Sequence, residues 1–331
     1  MFIIENYSIA VIFCIVTMIC WGSWANTQKL SQGSWQFELF YWDYVVGIVL
    51  FTFLFGITAG SIGTEGRGFF EDLRQGSGEN LGSAFKGGIV FNAANILLSA
   101  AIAIAGMSVA FPVGIGLALV IGVIVNYIDT PVGDARILFA GVACIAIAIG
   151  INAYAFKKQK GSAPSASTKG LLLSVIAGVM MGFFYKYVAN SMATSFADPE
   201  VGKLTPYSAL FIFSLGILAS NLVFNSLLMR FPVTGNRASF GDYFSGSARN
   251  HLVGIIGGVI WSIGMSFSII ASEKAGPAIS YGLGQGATVV AAIWGIYVWK
   301  EFSSAPPSVQ TLLRIMLALY VVGIVAIILS R

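Results

Sequence analysis

The segment GPAISYGLGQG, residues 276–286, lies inside an apolar run that continues to Trp299. Pro277 suits the first turn of a helix, because a first-turn N–H has no intrahelical partner to lose. The alternating glycines that follow remove side chains, so a neighbouring backbone or a ligand can approach closely. A second segment, AFPVGIGL at residues 110–117, also places a proline before alternating glycines. Paired apolar segments of this kind, one in each half of a chain, indicate the binding site of a transporter.

The composition excludes an ordinary soluble domain. The 331 residues are 57% hydrophobic and 10% charged, with a mean hydropathy of +0.84, whereas soluble domains are roughly 25% charged. The net charge of +4 needs no nucleic-acid partner, since membrane proteins carry excess Lys and Arg in cytoplasmic loops. The first residues include Glu5 and no basic cluster, so we expect the first apolar run to remain as a helix and not to be a cleaved signal peptide.

Ten apolar runs have the length of about 20 residues that a helix needs to cross a hydrocarbon core of roughly 30 Å. The runs are continuous and do not alternate with polar residues, which favours helices over a barrel. The expected spans are Tyr7–Ala25, Leu39–Gly60, Phe85–Gly106, Met107–Ile128, Ala135–Phe156, Gly170–Ser191, Tyr207–Met229, Leu252–Ser272, Gly276–Trp299 and Thr311–Leu329.

A basic linker at residues 157–169, KKQKGSAPSASTK, follows the fifth span. We therefore expect a first five-helix repeat at residues 1–156 and a second at residues 170–331. In each half the third and fourth spans are joined by almost no loop, which predicts antiparallel hairpins. An odd number of spans per repeat inverts the second copy in the membrane. The predicted fold is an all-α polytopic membrane protein with ten transmembrane helices in a 5+5 inverted repeat.

The distribution of basic residues favours one orientation of these spans. With both termini outside, the loops inside carry more Lys and Arg than the loops outside, and the linker contributes Lys157, Lys158 and Lys160 to that excess. Because basic loops remain in the cytoplasm, we expect both termini outside and the linker in the cytoplasm.

Two ionisable residues lie inside predicted spans, Asp43 in the second and Lys186 in the sixth. Ionisable groups in a membrane are expensive and are functional candidates by default. A carboxyl group there can gain and lose a proton, so Asp43 is a candidate for proton coupling; the alternative is a carboxylate solvated at the interface. Lys186 lies too deep in its own span for a salt bridge with Asp43. We expect it to face a water-filled cavity, and the alternative is snorkelling to the far interface.

Aromatic and amide side chains gather near the ends and centres of several spans. Trp and Tyr at span ends commonly form interfacial belts, and buried Asn residues also hold helices together, so these alternatives stay open. The functional interpretation is a cavity in which rings stack on a neutral ligand and amides orient it. The candidate substrate-binding residues are Trp21, Trp24, Asn26, Asn92, Asn95, Tyr185, Lys186, Trp261, Tyr281 and Gln285.

The remaining motifs favour neither an enzyme nor an ATP-driven pump. The sole histidine, His251, lies at the start of a span and cannot alone form a zinc site or a triad, so we expect an interfacial position. The three cysteines lie in apolar runs without metal-ligand spacing, and neither a Walker sequence nor an acidic pair occurs. We expect no metal and no cofactor. Gly254 and Gly258 form a GxxxG that we assign to helix packing.

CWGSW at residues 20–24 closes the first predicted span, and YWDY at residues 41–44 lies in the second. With these motifs the chain resembles the drug/metabolite transporter superfamily, and within it the branch of ureide permeases and bacterial glucose/ribose porters. The resemblance implies ten helices, no nucleotide-binding domain and a central cavity lined by both halves. The porter branch implies proton-coupled monosaccharide uptake and a bacterial inner membrane.

We therefore predict an integral membrane, secondary active transporter of a small polar neutral metabolite, coupled to protons through Asp43. A monosaccharide is favoured, with a ureide or nucleobase close behind. The alternatives are an exporter of lipophilic or amino-acid-like metabolites, which a mainly aromatic cavity would favour, and a membrane scaffold or receptor without transport. The predicted partners are the substrate, the proton and the lipid bilayer, without nucleic acid. Both repeats in one chain make a monomer sufficient and leave a dimer open.

Overall fold

The computed structural model describes residues 1–31, 35–105, 107–160, 168–233, 235–300, 302–303 and 305–331. Within these ranges the regular secondary structure is helical apart from one isolated bridge between Met192 and Leu204. A π-helical turn, Trp294–Val298, extends the thirteenth helix. The α-helices are α1 (Tyr7–Ser23), α2 (Ala25–Leu30), α3 (Phe37–Ile57), α4 (Phe69–Gln75), α5 (Gly78–Ala105), α6 (Met107–Asp129), α7 (Ala135–Lys160), α8 (Thr168–Ser191), α9 (Pro206–Arg230), α10 (Phe240–Phe244), α11 (Ala248–Ala275), α12 (Pro277–Gly284), α13 (Ala287–Ile293) and α14 (Pro307–Leu329).

Nine helical stretches of the described chain are long and apolar enough to cross a membrane, where α1 with α2 and α12 with α13 count as single stretches. They coincide with nine of the expected spans. The other expected span, Met107–Ile128, falls on α6, in which Val113–Asp129 is a shorter apolar helix. The expected linker overlaps the end of α7 and the start of α8, and its residues 161–167 lie outside the described chain.

The helices differ in how much of their surface the protein covers. In the apolar part of α11, 61% of residues are buried, and α3, α5, α9 and the α12–α13 span each reach 56%, whereas the α1–α2 span and α14 reach only 28%. The most buried spans are therefore α3, α5, α9, α11 and α12–α13, and the least buried ones leave most of their apolar surface for lipid.

Glycines let the central helices pack at short distance. A Cβ on Gly258 of α11 would overlap the carbonyl oxygen of Tyr44 on α3, and one on Gly47 would overlap the α11 backbone. Gly88 and Gly216 make the same kind of contact between α5 and α9. Such close backbone approach is how membrane helices associate without a hydrophobic driving force. The packing role predicted for Gly258 is confirmed.

The bundle has two ends, which we name by the linker. The linker-side end is where α2, α7, α9 and the π-helical turn finish. It is also where α3, α8, α11 and α14 begin. At this end the Trp299 indole N–H donates to the Asn26 side chain at 2.7 Å. The opposite end holds both termini, α4 and residues 192–205. At that end the backbone N–H of Asp134 donates to the Ser330 carbonyl at 2.6 Å.

A buried carboxylate organises the loops of the opposite end. The Asp72 side chain in α4 is fully buried. It accepts hydrogen bonds from Arg67 Nε at 3.0 Å, from the Thr205 backbone N–H at 2.8 Å and from Gln75 Nε2 at 3.1 Å. The segment around α4 and the residue before α9 are thus joined through one acidic group.

Candidate functional site

A cavity of about 120 Å³ lies in the middle of the bundle. Six spans from both halves of the chain contribute to its wall. It is small, since sites for drug-sized ligands have roughly 300 Å³ or more. The lining residues are Trp21, Trp24, Phe91, Asn95, Leu98, Ile115, Met181, Phe184, Trp261, Gln285, Ala287, Thr288 and Ala291.

Aromatic rings form one wall of the cavity. The rings of Trp21 and Trp261 are nearly parallel, with 13° between their planes and 6.1 Å between their centroids. Phe91 packs on Trp261 at 4.6 Å. The Trp21 indole N–H donates to the Trp261 backbone carbonyl at 3.2 Å, which fixes the orientation of the ring. This wall offers flat, rigid surfaces on which a planar ligand can stack.

Three polar side chains face the same space, those of Asn95, Gln285 and Thr288. Asn95 Nδ2 donates to the Tyr41 hydroxyl at 3.0 Å, so its carbonyl oxygen points to the free side of the amide. The Gln285 side chain is 7% exposed, and its amide makes no hydrogen bond with the described part of the protein. No charged side chain contributes to the lining among the described residues. Such a site suits a neutral ligand that both donates and accepts hydrogen bonds.

The Gln285 amide reaches the cavity because its helix is interrupted there. Helix α12 ends at Gly284, and α13 begins at Ala287. A Cβ on Gly284 would lie 2.7 Å from the Trp21 ring, so the glycine allows α12 to pack flat on that indole. The corresponding segment in the first half, at residues 110–117, lies within the continuous helix α6. Interrupted helices at mid-membrane are typical of transporter binding sites.

A second cluster of polar groups surrounds Asp43 at the linker-side end. The Tyr243 hydroxyl in α10 donates to Asp43 Oδ1 at 2.6 Å. His251 Nδ1, near the start of α11, lies 3.0 Å from both carboxylate oxygens. The Asp43 side chain is 2% exposed and that of His251 is 27% exposed. The carboxylate is therefore enclosed, whereas both of its partners, His251 and Tyr243, are only partly buried.

The short helix α10 holds the phenol of this cluster in place. Ser239 and Asp242 form a reciprocal capping box at its start, which fixes a five-residue helix that would not be stable alone. Burial, followed by the hydrogen bond to Asp43 and the charge of Asp43, raises the pKa of the Tyr243 phenol above its ordinary value. Tyr243 therefore remains a protonated donor at physiological pH.

Helix α3 connects the Asp43 cluster with the cavity. The Tyr44 ring, next in sequence to Asp43, lies 4.7 Å from the Trp24 ring and 6.4 Å from the Trp261 ring. Tyr41, two residues before Asp43, accepts a hydrogen bond from the Asn95 side chain through its hydroxyl. A small displacement of α3 at Asp43 would therefore move side chains that touch three residues of the cavity wall.

Comparison with known proteins shows the family of this chain. The family model for ureide permeases matches residues 40–166 and 157–330. The chain belongs to the ureide permease family. As a member of that family it is an integral membrane transporter of a small molecule and not an enzyme.

Two plant relatives match over almost their whole length. Ureide permease 1 of Arabidopsis thaliana is 24% identical, over 100% of this chain and 99% of that protein. Ureide permease 2 of the same plant is 22% identical with the same coverage. A solved structure described as "Crystal structure of protein" superposes with a TM-score of 0.66 at 14% identity, covering 97% of this chain and 96% of that chain. The last similarity shows the fold alone.

In this permease five of the ten residues proposed for substrate binding line the cavity: Trp21, Trp24, Asn95, Trp261 and Gln285. They come from distant parts of the sequence, and the structure brings them to one space. Their contact with a substrate stays a prediction.

Four other proposed residues lie outside the cavity wall and bind other parts of the permease. Asn92 accepts from the Tyr41 hydroxyl at 2.9 Å, and Asn26 accepts from Trp299. The Tyr185 hydroxyl donates to the Ser268 carbonyl at 3.1 Å, and that of Tyr281 donates to the Met181 carbonyl at 3.1 Å. Their side chains are committed to helix–helix hydrogen bonds, which was the alternative considered for the asparagines.

Lys186 does not face the cavity, and the expectation that it does is corrected here. Its ammonium group lies 2.7 Å from Asp129 Oδ1, and Asn190 donates to the other carboxylate oxygen at 3.0 Å. Asp129 is the last residue of α6, and Lys186 lies near the end of α8. The lysine reaches the boundary at the opposite end, which matches the snorkelling alternative.

The residue that sequence reasoning missed is His251. It was assigned an interfacial position, whereas the structure pairs it with the carboxylate proposed for proton coupling. The signal available in the sequence was positional. Asp43 and His251 both lie within about two turns of the linker-side start of their helices, at comparable depth. Tyr243 gave no signal, because α10 is a short helix in a polar loop.

Proposed function

We propose that this permease is a secondary active transporter for a small, uncharged, planar metabolite of the ureide class, which binds in the cavity between the two halves. The observation that carries the proposal is the lining: parallel indole rings beside the amides of Asn95 and Gln285. A planar ligand with N–H and C=O groups can stack on the rings while the amides bond its edge. The names of the full-length relatives support the same class.

We also propose the ten-helix, 5+5 inverted repeat, with repeats at residues 1–156 and 170–331. In this repeat the helices correspond as follows: α1 to α8, α3 to α9, α5 to α11, α6 to α12 and α7 to α14. Five packed helix pairs then correspond to five other packed pairs: α5–α8 to α11–α1, α6–α8 to α12–α1, α3–α11 to α9–α5, α5–α6 to α11–α12, and α6–α7 to α12–α14. The cavity walls also obey this symmetry. Rocking of one such repeat against the other would give alternating access.

Proton coupling through Asp43 is the second part of the proposal. The carboxylate is buried, paired with the sole histidine, and carried by the helix whose Tyr44 touches the cavity wall. Gain or loss of a proton changes the bonds between α3, α10 and α11, and so biases the position of α3. With the linker in the cytoplasm, as the basic loops favour, the Asp43 cluster opens to the cytoplasmic side.

A second candidate substrate class follows from the aromatic content of the wall. Trp21, Trp24, Phe91, Phe184 and Trp261 all contribute to it. This wall also suits export of lipophilic or aromatic amino-acid-like compounds. A monosaccharide, which the sequence favoured, can form hydrogen bonds with the polar groups. It can pack only the apolar face of its sugar ring on the indole rings. These classes form the other arms of the test.

Counterflow in proteoliposomes tests the proposal. Vesicles containing the full chain are loaded with an unlabelled ureide, nucleobase, hexose, pentose or aromatic amino acid and then given the same compound with a label. Transient accumulation with the ureide, absent from protein-free vesicles, is the expected result. Exchange with a hexose or an aromatic amino acid alone would transfer the assignment to that class. Silence with every compound would refute transport of this range of substrates.

A further inference from the structure

We infer that His251 is the proton relay that connects solvent at the linker-side end with the buried carboxylate of Asp43. The inference deepens the proposed proton coupling and rests on it. It concerns how the proton reaches a group that is otherwise shielded from water.

The geometry of the pair has the form that a relay needs. His251 Nδ1 lies 3.0 Å from each Asp43 oxygen, within hydrogen-bond distance. The imidazole is 27% exposed while the carboxylate is 2% exposed. An imidazole has two nitrogens on opposite sides of one ring, so it can accept a proton on one and release another from the second.

The other contact of the carboxylate cannot replace the imidazole. The Tyr243 hydroxyl donates to Asp43 Oδ1 at 2.6 Å, and its raised pKa keeps the phenol protonated. Tyr243 thus supplies a fixed hydrogen bond, and the mobile proton is left to His251. In this arrangement Tyr243 is a positioning residue.

The surroundings hold the ring in one orientation. The Trp35 ring meets the His251 ring edge-on at 5.2 Å, and the Tyr243 ring does so at 4.9 Å. A Cβ on Gly246 would overlap the Trp35 ring and lie 2.8 Å from His251 Nε2. The turn after α10 can therefore pack over the imidazole only because residue 246 has no side chain.

Among the described residues, His251 is the basic side chain found within hydrogen-bond distance of Asp43. The further ionisable groups on the surrounding helices and loops are Lys29, Glu38, Arg230, Arg237, Asp242 and Arg249.

One loading step moves a single proton from solvent to Asp43. A hydronium ion gives its proton to Nε2 of neutral His251, and the proton on Nδ1 passes to a carboxylate oxygen of Asp43. Water and neutral Asp43 result, and the imidazole remains neutral with its proton on Nε2. Release to the same side is the reverse sequence. No bond other than O–H and N–H bonds is made or broken.

The variant His251→Asn tests the relay. An asparagine amide can still donate to Asp43 from about the position of Nδ1, but it cannot carry a proton through. We expect proton-driven accumulation of the substrate to slow about a hundredfold, the low end of what a proton-transferring side chain contributes. Counterflow, which requires no net proton transfer, should persist. Lys186→Gln is the matched control and should retain both activities.

Chemical rescue separates a relay from a merely structural role. In His251→Ala, imidazole added to the buffer should occupy the space left by the ring and restore accumulation in part. Imidazole should have no effect on Asp43→Asn. Normal accumulation by His251→Asn, or loss of its counterflow together with no imidazole rescue of His251→Ala, would overturn the relay. Failure of the wild-type protein to accumulate substrate against its gradient would instead refute the proposed coupling.

Discussion

Asp43 and Lys186 attract attention in the sequence for the same reason, an ionisable side chain within an apolar helix, yet the structure gives them opposite surroundings. The Asp43 side chain is 2% exposed and enclosed by His251 and Tyr243. The Lys186 and Asp129 side chains form an ion pair at 2.7 Å but are 32% and 24% exposed. One site is a shielded carboxylate between two partly exposed partners, and the other is a solvent-exposed ion pair near the ends of two helices.

The difference shows that two observations decide how buried a charged residue is: its distance from the ends of its helix, and the exposure of its ion-pair or hydrogen-bond partner. Lys186 lies close to Ser191, where α8 ends, beside the last residue of α6. Water screens such an exposed pair, and it contributes roughly 0–1 kcal/mol. A buried charge that loses its partner costs about 3–5 kcal/mol. We therefore expect substitutions at Asp43 to affect function more than substitutions at Lys186.

The largest effect is expected from Asp43→Asn. The amide has nearly the same shape but cannot exchange a proton, so uphill accumulation should fall to the external substrate concentration while counterflow persists. Uptake of labelled substrate with and without a protonophore measures this. Asp129→Asn is the control and should accumulate normally. Equal loss in both variants would remove the distinction between the two sites.

Gln285→Leu should have the next largest effect, on substrate recognition. The leucine fills similar space but removes the amide that faces the cavity, and loss of a hydrogen bond to a buried ligand group costs about 1–3 kcal/mol. The half-saturating concentration in counterflow should rise about tenfold or more. Asn190→Leu, at the opposite end, offers the comparison and should leave that concentration unchanged. An unaltered value in Gln285→Leu would place the substrate elsewhere.

A smaller effect is expected for the ion pair itself. A double-mutant cycle with Lys186→Gln and Asp129→Asn should give a coupling free energy of roughly 0.2–1 kcal/mol. Equilibrium unfolding of the purified protein in detergent measures it, and added salt should reduce it, because exposed charges are screened. A coupling above about 3 kcal/mol would show that the pair is effectively buried.

The smallest effect concerns Glu200 in the loop at the opposite end. The hydrogen bond from the Thr194 hydroxyl, ahead of other contributions, lowers the pKa of this carboxyl. A lowered folded-state pKa gives stability that is present above the pKa of the unfolded chain and lost as the pH falls through the folded value. The melting temperature of Glu200→Gln should therefore lie slightly below that of the wild type at pH 7, and the gap should close at acidic pH. A gap that widens in acid would contradict this sign.

Much of the fold was predictable, because apolar runs of bilayer length report helices directly. The interruption near Gln285 was also signalled, by the proline and alternating glycines of residues 276–286, and the structure ends α12 there. Helix α6, Met107–Asp129, also forms where the span Met107–Ile128 was expected.

The site was less predictable, because its members meet across long stretches of chain. Asp43 and His251 are separated by 208 positions, and no local pattern links them. Asn92 and Asn95 share a helix face, yet Asn95 lines the cavity while Asn92 is held by Tyr41 and Ser220. The neighbouring helices decide which of the two amides forms helix–helix hydrogen bonds. A single sequence does not reveal which helices are neighbours.

The most direct test of the Asp43 account is the pH inside proteoliposomes when a transported substrate is added outside without any pre-existing proton gradient. If substrate and proton move together, the lumen should acidify with the wild type and with Asp129→Asn, and should not change with Asp43→Asn. A pH-sensitive dye trapped in the lumen reports the change. Acidification by Asp43→Asn at the wild-type rate would contradict the central claim that this buried carboxylate carries the proton.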